Sequence, residues 1–131
     1  MKRLFELRRQ CLGEPTVCEP SSYSRQGYLE RDRLFVQEMI DRKAHLRTAI
    51  DDPSYVVVSS LEPGASASAM SVVACVWDTD ILAGVGGGVF NDLKVSSQSQ
   101  FGLVLEGEAW FIASVVELTR TERSNTCPAR A

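Results

Sequence analysis

A chain of 131 residues fits one domain and is long enough to bury a core without metal or disulfide staples. Its 44% hydrophobic and 24% charged residues are ordinary for a globular protein, and no apolar run approaches the ~20 residues of a membrane span, which sets membrane partners aside. The net charge of −3 divides unevenly, with ten Lys/Arg against seven Asp/Glu in residues 1–50 and four against ten in residues 51–131; the basic residues are dispersed among acids without aromatic interleaving, which sets nucleic acid aside.

The first segment, MKRLFELRRQCL, mixes basic and apolar residues and has neither a continuous apolar core nor a small-residue cleavage site, so the expected location is cytoplasmic. Within it Leu4, Phe5, Leu7, Cys11 and Leu12 recur at helical spacing, predicting a short amphipathic helix over 3–12 that Gly13 and Pro15 stop. The stretch 14–27 carries two prolines, three serines and a glycine and reads as a connector with a helical turn near Ser21. Cys11 and Cys18 bracket a turn and pair if the compartment is oxidising, whereas the cytosol favours the reduced thiols. Four cysteines without close paired spacing, and one histidine, predict no metal site.

From Tyr28 to Ile50 the residues Leu29, Phe35, Val36, Met39, Ile40, Leu46 and Ile50 trace one apolar stripe, predicting a long helix ended by Asp51-Asp52-Pro53. His45 then sits near that helix's C-terminus, where an imidazolium suits the dipole. After Pro53 the period changes to two. Strands are predicted at Tyr55–Leu61, Ala69–Trp77, Val89–Val95, Ser99–Leu105 and Trp110–Leu118, the last pair joined by a tight hairpin at Glu106-Gly107-Glu108. The parts are thus a helical segment 1–52, a sheet segment 54–118 and a polar tail 119–131. In Ser71–Trp77 and Ala109–Val116 both alternating sets are largely apolar, so each face of the sheet needs a cover. Helices supply one. A second copy of the chain, packed on the outer face as a homodimer, is the expected other.

Chemistry-bearing residues concentrate in CVWDTDILAGVGGGVFNDLK, 75–94. Gly84 to Gly88 lack the following Lys-Ser/Thr of a phosphate loop and the third glycine of a dinucleotide fingerprint, so they read as a flexible connection and no cofactor is expected. Asp78 and Asp80 lie two apart and project to one side of an extended strand, as acid–base work requires, and as turn residues satisfying backbone amides also do. Asn91 and Asp92 read as polar pocket lining or as a bend in the strand. Tyr28, Tyr55, Trp77, Phe101 and Trp110 are candidates to line a pocket for a flat apolar ligand, or to fill plain core.

Helices followed by antiparallel strands, with Val-Leu-Glu-Gly-Glu-Ala-Trp-Phe-Ile-Ala-Ser at 104–114 preceded by Phe90–Ser97, resemble the nuclear transport factor two-like superfamily. Within it the chain is most similar to the SnoaL-like, polyketide-cyclase-like domains, over roughly residues 28–118. The resemblance implies an α+β cystatin-like cone: N-terminal helices packed on a strongly bent antiparallel sheet, with an apolar pocket between them and often a dimer through the outer sheet face. Two readings of function follow, the first from the doubly apolar strands and the lack of an identifiable acid–base pair, the second from the resemblance. One is a non-catalytic small-molecule-binding or interaction domain. The other is an isomerase, dehydratase or cyclase in which Asp78 or Asp92 is buried in the cone as the general acid/base; the family's Asp-His pairing is not evident. A third, purely structural subunit would fill the cone with its own side chains.

Overall fold

In a computed structural model, described here for residues 1–130, the chain is an α+β protein with two helices and two antiparallel sheets. Helix α1 spans Lys2–Gly13, a run without β-branched residues that ends where Glu14-Pro15 follows. Single turns of 3-10 helix at Pro15–Val17 and Pro20–Ser22 each begin on a proline, whose fixed φ suits the first helical position. Helix α2 spans Gln26–Asp41 and buries Tyr28, Asp32, Val36 and Met39, one face at helical spacing.

The long helix expected to reach Ile50 stops at Asp41. Lys43 takes a left-handed φ of 52°, and Ala44–Arg47 becomes strand β1, paired with β4, Ile81–Gly84. Neither Gly nor Pro marks the break; Ala44 and Leu46 find their apolar neighbours as alternate residues of a strand rather than as a helical stripe. Ile50, expected on that stripe, is 89% exposed, and His45 stands opposite Ala83 in the sheet rather than on a helix terminus.

Strand β5, Val89–Asn91, completes the three-stranded sheet in the order β1-β4-β5. The Gly84–Gly88 stretch is the hairpin between β4 and β5, and Gly87 supplies the positive φ that the turn requires. The larger sheet runs β2-β3-β6-β7: Tyr55–Pro63, Ala69–Asp78, Val95–Glu106 and Ala109–Glu122. The strand expected over 89–95 is divided between the sheets at Asp92-Leu93-Lys94. Gly107, at φ 63°, turns the β6–β7 hairpin. Register shifts interrupt β2–β3 at Val58/Ser60 and β6–β7 at Gln98/Ser99 and Gly102/Leu103.

Two apolar clusters form. One packs α1 and α2 on the inner face of the larger sheet through Leu4, Tyr23, Tyr28, Val72, Phe101 and Ile112. The other ties the helices to the smaller sheet through Leu12, Val36, Met39 and Ala44. All four cysteines are paired, Cys11–Cys18 and Cys75–Cys127. The second bridge pins the segment expected to be a free polar tail. Strand β7 runs on to Glu122, and Ser124–Pro128 then lies across the outer face of the larger sheet. There the Ser96 hydroxyl donates to the Ser124 carbonyl at 2.8 Å, and the Tyr55 hydroxyl donates to the Pro128 carbonyl at 2.9 Å.

Candidate functional site

Where the two apolar clusters meet, the packing leaves a cavity of about 420 Å³. Its walls come from α1 (Phe5, Arg8), α2 (Tyr28, Phe35) and the inner faces of β3 and β6 (Val76, Phe101). Leu46 and Leu82 of the smaller sheet close one side. Strand alternation explains the inner wall: Val76 and Asp78 on β3, and Val95, Ser97 and Ser99 on β6, share the parity that faces the helices.

At the helical wall Arg8 grips Asp32 with two bonds, Nε to Oδ2 at 2.8 Å and Nη2 to Oδ1 at 3.2 Å. The Tyr23 hydroxyl donates to the same Oδ2 at 2.6 Å. Asp32 is fully buried, so its charge is tolerated only because both oxygens are engaged. Burial and the hydrogen bond to Asp32 hold the Tyr23 hydroxyl well above its usual range, so it remains a donor. Beside this network Arg9 forks onto Asp80, Nε to Oδ2 and Nη2 to Oδ1, both at 2.8 Å.

Asp78 stands differently. Its Oδ1 accepts the Asp80 backbone N–H at 3.1 Å, and it forms no ion pair among the described residues. Its side chain is exposed to solvent through the open cavity, while the protein packed around that cavity still takes part of its hydration away. That enclosure pushes its carboxyl up from the ordinary range; the charge of Asp80 adds to the rise, while the Asp80 N–H, Arg8 and Arg9 partly offset it.

Of the candidates named from sequence, the fold brings Tyr28, Asp78, Asp80, Asn91 and Phe101 to this cavity. Asn91 also accepts the Leu93 N–H at 2.9 Å, so it shapes the turn as well as the wall. The other four lie elsewhere. Tyr55 and Trp77 have the opposite strand parity: Tyr55 lies against the C-terminal segment, and the buried Trp77 donates its indole N–H to Asp52 at 3.0 Å. Trp110 lines a separate apolar groove with Leu4, Leu61 and Met70. Asp92 is exposed in a shallow depression beside Lys94 and Arg123. The sequence reading missed Arg8 and Asp32. One signal was present: Asp32 falls four residues after Tyr28 and four before Val36, an acid inside the buried stripe of α2.

No family model matches the chain, and no curated protein matches it. Among solved structures it is similar to the crystal structure of the intermembrane space region of the chloroplast protein ARC6, with a TM-score of 0.67 over 89% of this chain and 92% of that one, at 9% identity. At that identity the two chains share a fold and nothing further is carried over.

Proposed function

We propose that the protein is a small-molecule-binding domain whose ligand occupies the cavity between the helices and the larger sheet, without being chemically changed. The observation that carries this reading is the cavity itself: apolar side chains interleaved with charged and polar groups that converge on one hollow at the junction of two packed cores. The register shifts in β2–β3 and β6–β7 support a sheet that bends around the helices, the cone of the nuclear transport factor two-like resemblance. A homodimer would use the part of the outer face that Ser124–Pro128 leaves open, around Val73 and Val116. Two disulfides favour an oxidising compartment over the cytoplasm expected from sequence.

The test is binding of a neutral aromatic probe, N-phenyl-1-naphthylamine, to the native chain and to Ser99→Phe, which places a ring in the cavity. Saturable binding that Ser99→Phe abolishes while the thermal transition persists supports the reading. Equal binding by both proteins overturns it.

A second reading has its own observation: the cavity-lining carboxyl with the raised pKa, that of Asp78, is suited to move a proton beside a carbonyl. It predicts accelerated hydrogen–deuterium exchange at the α-carbon of phenylacetone, abolished by Asp78→Asn. Exchange at the uncatalysed rate removes it.

A further inference from the structure

The charges of the cavity pair off one by one. Arg8 is held by Asp32, Asp80 by Arg9, and Glu117 lies 3.9 Å from Arg120, which also reaches Glu122 at 3.6 Å. Three cavity-lining groups remain without an ionic partner among the described residues: Arg31, Asp78 and the α-ammonium of Met1, which burial and the charge of Arg3 push towards its neutral form. Their surroundings differ. Arg31 and Asp78 are both exposed, but the Arg31 guanidinium lies 5.0 Å from the centre of the Tyr28 ring and so already has an electrostatic contact. Asp78 has only one backbone N–H for its two oxygens, and the cations nearest in the network, Arg8 and Arg9, are committed to other carboxylates.

The aromatic walls also offer a cation little. Arg8 already lies 5.8 Å from the Tyr28 ring centre and 5.9 Å from that of Phe35, and Arg9 lies 5.7 Å from that of Phe5. A positively charged ligand therefore gains most at Asp78, with its apolar body along Val76 and Phe101. A carboxylate ligand meets Arg31, whose guanidinium already faces the Tyr28 ring.

Taking the cavity as a ligand site, we propose that it selects a small apolar or aromatic molecule bearing a cationic nitrogen, with Asp78 as the ion-pairing residue. The ammonium donates to the free oxygen of Asp78, and the hydrocarbon part replaces water along the inner sheet face.

Calorimetric titration with 2-phenylethylamine, 2-phenylethanol and 3-phenylpropionate at neutral pH separates the possibilities, because the three share a phenyl group on a short chain and differ in charge. The expected result is that the amine binds at least tenfold more tightly than the alcohol, and that Asp78→Asn reduces the amine to the alcohol's affinity without changing the alcohol. A titration of the unmodified protein at falling pH is the second measurement: protonating Asp78 erases the amine's advantage and leaves the alcohol unaffected. Equal binding of amine and alcohol, or tighter binding of the carboxylate, overturns the cationic class while leaving the ligand site standing. Failure of all three to bind overturns both.

Discussion

The two faces of the larger sheet solve the same problem in different ways. Inward, β3 and β6 meet helices that stand off enough to leave a hollow, and the walls of that hollow carry Arg8 and Asp78. Outward, the same strands present Ser71, Gln98 and Gln100, whose side chains hydrogen-bond within the sheet or to Ser59, and the chain's own C-terminal segment lies over one end. An outer face furnished with amides, hydroxyls and a tethered strap needs less covering by a partner than the apolar alternation alone implies. The inner face, with its bulky apolar side chains and unfilled volume, is the one equipped to receive a molecule.

Removing the ionic link behind the inner face has the largest expected effect. Asp32→Ala leaves the Arg8 guanidinium and the Tyr23 hydroxyl without their shared acceptor, and the cost is about 3–5 kcal/mol, read by urea denaturation. A loss under about 1 kcal/mol contradicts the buried network.

The outer face is tested by Cys75→Ser with Cys127→Ser. Opening a bridge across 52 residues costs about 4 kcal/mol by the chain-entropy relation, against about 2.5 kcal/mol for the bridge across 7 residues between Cys11 and Cys18. The longer bridge is therefore the larger contributor, and its loss also frees residues 124–128 to proteolysis. A smaller loss than that of the Cys11–Cys18 variant, with the tail still protected, breaks the comparison.

The smallest effect belongs to Asp78 and appears as a pH dependence. Its folded-state pKa lies above the unfolded value of 3.8, so between the two the folded chain binds more protons and stability falls as pH rises through that window. Asp78→Asn removes the fall. The variant matches the parent at acid pH and melts at a slightly higher temperature at neutral pH; a lower melting temperature at neutral pH identifies Asp78 as a stabilising charge instead.

The sequence made some of this legible and hid the rest for identifiable reasons. Alternation in Tyr55–Leu61 and Ala69–Trp77, and the Glu106-Gly107-Glu108 turn, revealed the strands because β-branched residues and a required positive φ are local signals. The end of α2 was invisible, since Ala44 and Leu46 continue the helical stripe by coincidence and only pairing with β4 selects the strand. Strand parity separates Asp78, which faces the cavity, from its neighbour Trp77, which does not. Which parity faces the helices is a tertiary fact. Likewise the Cys75–Cys127 bridge joins residues that nothing local relates, and Ser124–Thr126 resemble a loose tail because their hydrogen bonds go to Ser96.

The most direct measurement is a titration of isotopically labelled protein with 2-phenylethylamine, followed by the amide and side-chain resonances of both sheet faces. Shifts should concentrate at Tyr28, Val76, Asp78, Ser97 and Phe101, leaving Ser71, Gln100 and Val116 unmoved. Perturbations centred on that second set, or along the strap at Ser124–Pro128, would contradict an inward-facing binding site.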